Sequence, residues 1–323
     1  MPSSLIYKMS QDNYGYIWIA TGDGASYFDG MRFTIFRHEP DKAGTISSDL
    51  VKCIFTDSRG NIWIGTSNGL QIYDRGKNTF RDFPLQYPSF TGTPYVTSIA
   101  ESSDHEEILV SVAGFGILLY DGLSHELDIA GTDQLKEMYR NPYLGSLFLD
   151  SEDFLWTYSE QGSFYRLRLK TKTLEPLKWN PGLAGINEEI VVTALAEDPL
   201  TRNILIGTYN HGIFIFDRTQ NLIRRPKGES SSKFRIRALL AETNTRGSGT
   251  LSIWVGTEDA GLRKFDRVRE EIIKPDFPYA PVDMDHCKIH SLMQDAQGNI
   301  WAGIFQKGLV IIPKPLNDFE YIK

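Results

Sequence analysis

Asp57-Ser58-Arg59-Gly60-Asn61-Ile62-Trp63-Ile64-Gly65-Thr66-Ser67-Asn68-Gly69-Leu70-Gln71-Ile72-Tyr73-Asp74 reads as two β-strands with a tight turn before the first and a short loop between them. Asp57 to Asn61 is turn chemistry, because Asp and Asn side chains bond nearby backbone and Gly60 supplies positive φ. Ile62 to Thr66 and Gly69 to Asp74 are rich in β-branched and aromatic residues, as strands prefer. Upstream, Val51 to Phe55 reads as an inner strand. Downstream, Thr79 to Phe83 reads as an outer one. The unit is therefore a four-stranded antiparallel sheet.

The unit recurs. Aligned on Trp63 or its replacement, the anchors are Trp18, Trp63, Leu109, Trp156, Leu205, Trp254 and Trp301, at spacings of 45, 46, 47, 49, 49 and 47 residues. A four-stranded propeller blade repeats at about 40–50 residues. Asp295 to Trp301 nearly duplicates Asp57 to Trp63, and Asp12 to Phe36 is a strong match. The copy from Asp150 to Leu169 keeps Trp156 but has Tyr158 where others have Gly or Ala. Copies three and five lose the Trp, and copy six has an insertion from Asn244 to Gly249.

One such sheet has two apolar faces and cannot bury both alone. Stacking sheets and closing them into a circle buries every face. The prediction is an all-β fold, a seven-bladed β-propeller with four antiparallel strands per blade. One propeller fills residues 1–323, with blades near 5–49, 50–95, 96–143, 144–190, 191–234, 235–287 and 288–323. Small residues after the Trp position (Gly65, Gly207, Gly256, Gly303) suit close backbone approach. An open solenoid uses shorter coils than this. How the ring closes is open in the sequence: Phe319 to Lys323 can supply the outer strand of blade seven from its own copy, and the ring then closes without a shared strand, by packing alone. The one helix signal, Thr132 to Arg140, ends at Asn141-Pro142 and falls between blades three and four.

Composition narrows the function. The net charge is -7 and no basic stripe is present, so nucleic acid is not an expected partner. No apolar run is long enough to span a bilayer, so direct membrane insertion by this chain is not expected. No signal peptide is visible at Met1-Pro2-Ser3-Ser4. Cys53 and Cys287 lie in apolar contexts without metal-type spacing, which predicts free, packed thiols.

The pattern D-x-x-G-x-I-W-x-G-T-x-x-G-L-x-x-Y-D, met almost throughout by Asp57 to Asp74, resembles the two-component regulator propeller repeat. Phe28 to Thr34, His38 to Asp41 and Thr45 to Ser48 resemble the first blade of such sensors. The resemblance implies a periplasmic sensory propeller of a hybrid two-component system of the Bacteroidetes type, responding to oligosaccharides. Such proteins usually carry two propellers, a β-sandwich, a membrane helix and a histidine kinase. This sequence has one propeller's worth of repeats and no kinase motif. The sialidase Asp-box differs, since its Gly stands two residues after the Asp rather than three. Antibiotic-lyase propellers share the D-x-x-G-x-x-W look and imply an enzymatic alternative.

Motifs for chemistry are sparse. No nucleophile elbow, phosphate-binding Gly loop or H-E-x-x-H motif is present, so the chain is expected to be non-catalytic and no cofactor is implied. The Asp turns lack a full Ca²⁺ ligand run and read as turn closures. The Trp residues sit mid-strand and read as packing. Asp283, Asp285, His286, Cys287 and His290 include metal-capable side chains, but alternation along a strand would split them between faces.

Strand direction alternates, so the loops joining strands two and three share a face with the connections between blades. That face rings the channel mouth, a concave place for a ligand. In this one slot the copies differ. The candidate ligand-binding residues are Asp23, Asn68, Phe115, Glu160, Gln161, Tyr209, Asn210, His211, Glu258, Asp259, Phe305, Gln306 and Lys307. Aromatic faces with amides and carboxylates suit a sugar. They suit a protein loop almost as well. Tyr87, Phe90, Tyr95, Tyr139, Phe277 and Tyr279 in the blade connections could wall the site or contact a second propeller or homodimer partner. An enzyme would need His211 to meet Glu258 or Asp259.

Overall fold

The shared Asp and Trp of the repeat bond to each other. Trp18, Trp63, Trp156 and Trp301 donate their indole N–H to Asp12, Asp57, Asp150 and Asp295, six residues upstream, at 2.9, 2.8, 2.7 and 2.9 Å. The other carboxylate oxygen accepts the backbone N–H four residues on, at Tyr16, Asn61, Phe154 and Asn299. One buried carboxylate thus closes the turn and fixes the ring of the following strand. Blade six substitutes Glu242, which reaches Trp254 at 2.6 Å. The reading of these Asp residues as turn closures holds.

The computed structural model describes residues 5–85, 92–121, 127–129, 144–159, 164–178, 190–228, 232–243, 251–277 and 282–314. The expected helix over Thr132 to Arg140, the insertion at Asn244 to Gly249 and the terminal strand at Phe319 to Lys323 lie outside these residues. The chain forms seven antiparallel sheets in sequence order. Six have four strands; the seventh has three among the described residues. The inner strands are Ile6–Gln11, Val51–Thr56, Val96–Glu101, Leu144–Leu149, Val192–Glu197, Ile236–Ala241 and Ile289–Gln294. The architecture is the predicted seven-bladed β-propeller. Among the described residues, no helix is long and apolar enough to cross a membrane.

The core lies between blades. Each of seven apolar clusters joins neighbouring sheets, as Trp18 and Ile54 do between blades one and two, or Trp156 and Phe216 between four and five. Burying a large apolar side chain contributes about 1.5–3 kcal/mol, and every interface holds several. Strand two of each blade is buried along its whole length in blades one, two, five, six and seven.

The expected close approach occurs at the Gly after the Trp position. A Cβ on Gly65 would stand 2.6 Å from Val96, one on Gly207 2.5 Å from Ile236, and one on Gly256 2.7 Å from Ile289. In each case the neighbour is the first residue of the next blade's inner strand. Gly303 meets Ile6 in the same way, at 3.2 Å, across the ring closure. There Met293 and Trp301 pack with Ile6, Ile17 and Ile19. A hydrogen bond adds to this packing across the closure. The Ala296 N–H donates to Gln11 Oε1 at 2.6 Å. The same kind of bond joins Ser58 to Glu101, Ser151 to Glu197 and Thr243 to Gln294.

Three interfaces carry a further link. The residue after the Asp that ends strand three is Arg75, Arg218 or Arg267. Each reaches back to the turn Asp of the preceding blade. Arg75 meets Asp12, Arg218 meets Asp150 at 3.1 Å, and Arg267 meets Asp198 at 2.9 Å.

Both cysteines are free and buried. Burial pushes the Cys53 thiol up to about 12.

Candidate functional site

The loop between strands two and three is set by the Thr that precedes it. Thr21, Thr66, Thr208 and Thr257 are fully buried. Each hydroxyl donates to a Gly carbonyl across the loop, at Gly24, Gly69, Gly212 and Gly261. Each also accepts a loop N–H, from Asp23, Asn68, His211 and Ala260. The loop is tied to the start of its blade as well. Ser67, Ala113, Tyr209, Glu258 and Phe305 donate their backbone N–H to Leu50, Tyr95, Val191, Arg235 and Lys288. These loops and the blade connections therefore share one face.

A second feature of that face is a β-bulge in all seven inner strands. The register skips one residue in each, and the unpaired residues are Tyr7, Lys52, Thr97, Gly145, Thr193, Arg237 and His290. A bulge re-aims a side chain and is common next to functional sites. Neighbouring bulges touch: Lys52 Nζ lies 4.4 Å from the centre of the Tyr7 ring. Sequence reasoning missed this set. A signal was available, because an apolar residue precedes each position (Ile6, Val51, Val96, Leu144, Val192, Ile236, Ile289) while the position itself varies as freely as the loops do.

Bulges and loops converge across blades five to seven. Glu258 accepts from Arg237 Nε at 2.7 Å and from Lys288 Nζ at 2.7 Å, and its Oε2 stands 3.5 Å from His290 Nε2. The Arg237 guanidinium lies over Tyr209, 4.8 Å from its centre. The His290 ring stacks on Phe305 at 5.0 Å and 26°. Tyr209, Glu258 and Phe305, three of the sequence candidates, are thus joined through Arg237, Lys288 and His290.

The electrostatics follow. Burial opposes charge on Glu258, but Lys288 and Arg237 outweigh it and hold the carboxyl below its usual range. Burial, with Arg237 beside it, keeps His290 below the ordinary imidazole value although Glu258 pulls it up. At neutral pH the cluster is an ionised carboxylate between two cations, with a neutral imidazole at its edge.

The other candidates have surroundings of their own. Asp23 pairs with Arg37 at 2.6 Å. Asn68 donates to the Ser47 carbonyl, and Asn210 Oδ1 accepts from the Val191 N–H. Phe115 packs against the core between blades two and three. The His211 ring meets Phe214 edge-on at 6.4 Å. Asp259 is exposed. Gln306 has φ of 60°, and Lys307 donates its N–H to Ile304 to close the same turn. Glu160 and Gln161, like Tyr87, Phe90, Tyr139 and Tyr279, lie outside the described residues. The metal-capable group divides: His286 bonds Asp283 at 2.9 Å, whereas His290 belongs with Glu258.

Residues 1–23 and 45–68 match the family described as two component regulator propeller. The chain thus carries the repeat that its sequence resembles. No curated protein matches it. Among solved structures, it is similar to the extracellular domain of BT3049 from B. thetaiotaomicron, described as a hybrid two component system (TM-score 0.74, 20% identity, 96% of this chain and 40% of that one). It is also similar to the extracellular domain of BT4673 from the same organism (0.69, 18%, 96% and 38%). A third is PorZ, a surface component of the type-IX secretion system of Porphyromonas gingivalis (0.71, 15%, 96% and 46%). At these identities the likeness is one of fold. The chain spans less than half the length of each of these solved chains.

Proposed function

We propose that this chain is a non-catalytic ligand-binding propeller of a two-component sensor, that it works in the periplasm, and that it takes an oligosaccharide between blades five and seven. The observation that carries this is the meeting of variable loops and bulges at Tyr209, Glu258, Phe305, Arg237 and His290. Rigid aromatic rings beside fixed donors and acceptors suit sugar faces and hydroxyls. Two of the similar solved chains are extracellular domains described as hybrid two component systems, which supports a sensory role outside the cytoplasm.

Catalysis is disfavoured by the charge state. An acid–base pair needs a proton donor tuned near the working pH, whereas Glu258 is held ionised by two cations. Screening oligosaccharides by thermal shift tests the reading. Saturating one site at a hundredfold excess over Kd adds about 2.7 kcal/mol. The rise in Tm is expected to vanish in Phe305→Ala and Glu258→Gln. If no oligosaccharide raises Tm, direct sugar binding by this chain is wrong. If the sugar is cleaved, the chain is an enzyme.

A second reading, docking to another propeller or to a second copy, is favoured by one observation. Tyr14, Met31, Phe33 and Ile35 expose 70%, 92%, 37% and 46% of their surfaces on blade one. Sedimentation across a concentration series tests it: a constant monomer mass removes the second copy.

A further inference from the structure

The inner strands of a propeller line its central channel, so their side chains decide what the channel can hold. Two residues per strand lie towards the mouth: the bulge residue and the one that follows it. The followers are Lys8, Cys53, Ser98, Ser146, Ala194, Ala238 and Ser291. Six of these are small, as suits the close approach to strand two; a Cβ on Gly65 would stand 2.4 Å from Cys53 Sγ. Lys8 faces Ala20 instead, and its side chain is long enough to leave the layer. Lys8 is exposed, whereas Cys53, Ala194, Ala238 and Ser291 are buried. Yet desolvation pulls its ammonium below the usual lysine range. Solvent reaches Lys8 while protein surrounds it, which places the ammonium within the channel.

Lys52, the bulge residue of blade two, is its neighbour. Lys52 Nζ lies over the Tyr7 ring, which is no counter-ion. Burial raises the Cys53 thiol, and Lys8 and then Lys52 oppose that rise, so both ammoniums stand near one sulfur. Neither lysine has an ion pair or a hydrogen-bond acceptor among the described residues. The carboxylates on that side of the mouth are engaged: Asp23 pairs with Arg37 at 2.6 Å, and Asp49 accepts the His38 N–H at 2.7 Å. The bulge residues and their followers include Lys8, Lys52, Arg237 and His290 and no Asp or Glu. The chain carries a net charge of -7, so the channel mouth has a lining of the opposite sign. Arg237 is offset by Glu258. Lys8 and Lys52 are two like charges side by side with nothing to offset them.

We propose that Lys8 and Lys52 form a site for a tetrahedral oxyanion, a sulfate or phosphate group, on the channel wall between blades one and two. Ammonium groups bind such groups as point charges and ask little of their shape. Two of them match a doubly charged group better than a single carboxylate; a phosphate ester carries about −1.5 to −2 at neutral pH. The bound oxyanion removes the repulsion and accepts from N–H groups that no described residue satisfies. The free ion and an ester on a larger molecule share this chemistry. The site is independent of the oligosaccharide reading, which rests on blades five to seven.

Calorimetric titration of the full chain, in chloride buffer at constant ionic strength, tests it. Sodium sulfate is expected to saturate one site, at least tenfold tighter than sodium acetate. Glucose 6-sulfate that binds more tightly than the free ion identifies an ester as the source; a free ion that binds as tightly or more so identifies inorganic sulfate. Lys8→Met and Lys52→Met are each expected to weaken binding at least tenfold. Lys77→Met removes the same charge from an exposed pair with Asp74 and is expected to change nothing. Lys52 is half-buried, so its variant keeps the site testable if Lys8→Met does not fold. Four results overturn the site: no saturable binding of sulfate or its glucose ester, acetate binding as tightly as sulfate, undiminished binding in either folded lysine variant, or an equal loss in Lys77→Met. None of them bears on neutral oligosaccharides, whose binding is read by the separate thermal-shift screen.

Discussion

Glu258 and Arg237, twenty-one residues apart, are joined by a 2.7 Å hydrogen bond between a loop and a β-bulge of the same blade. Neither element would place its side chain there alone. The loop is held by the Thr257 hydroxyl, and the bulge turns Arg237 out of the regular pleat. Together they fix a carboxylate where Lys288 and His290 of the next blade can also reach it.

The titration of His290 reports on this arrangement. Its folded pKa lies below the ordinary value, through burial first and Arg237 second. Its stabilising contribution is therefore complete above about pH 6.5 and is lost as pH falls through the folded value. Imidazole NMR is expected to give a midpoint below about 6.5, lower again in Glu258→Gln and higher in Arg237→Leu. A midpoint that ignores both substitutions contradicts the geometry.

Glu258 behaves with the same sign for a different reason. Its folded pKa is depressed because Lys288 and Arg237 outweigh burial. The contribution is present above the usual Glu value of about 4.3 and disappears as pH falls through the folded one. Wild type and Glu258→Gln should converge in stability as acid is added, as followed by denaturant melts at stepped pH.

The turn carboxylates are structural. Asp57→Ala strands the buried Trp63 indole N–H and removes the acceptor of the exposed Asn61 amide, at a cost of about 2 kcal/mol. Trp63→Phe removes one partner and the bulk of a ring. In a double-mutant cycle the two losses should be strongly non-additive, since they share one hydrogen bond. Simple additivity would show that the bond contributes little.

Close approach between blades is equally testable. Gly65→Ala places a methyl 2.4 Å from Cys53 Sγ and 2.6 Å from Val96. Overpacking of this kind costs about 1–3 kcal/mol. Adding Val96→Ala should return part of the loss, read as a shift in denaturation midpoint.

The thiols should be silent. Burial raises Cys53 to about 12 and moves Cys287 upward as well. The thiolate is the reactive form, so a thiol reagent is expected to modify neither residue until the protein unfolds. Labelling of the native chain at the rate of an exposed cysteine would contradict their burial.

The repeat by itself made the fold legible. Asp57, Gly60, Trp63 and Gly65 each follow from local rules: turn chemistry, positive φ, a buried ring with one polar atom, and room for the next backbone. Such rules act within one blade or between adjacent ones, so a single chain of residues states them. The same regularity let differences be noticed, and Tyr209, Glu258 and Phe305 were singled out as candidates because their slot varies. Arg237 and His290 were not, since a bulge is invisible until two strands are paired and one residue is left over.

What only the tertiary structure decided lies between copies. That Glu258 keeps Arg237, Lys288 and His290 as partners depends on how three strands fan around an axis. That Gln11 closes the ring on Ala296 depends on residues 285 positions apart meeting. That Asp12 holds Arg75 depends on the following blade bringing that residue to the shared boundary. Sequence determined each blade because its interactions are local and periodic. Structure decided which side chains meet because each cluster is assembled from two or three blades, and its members come together only when the circle is closed.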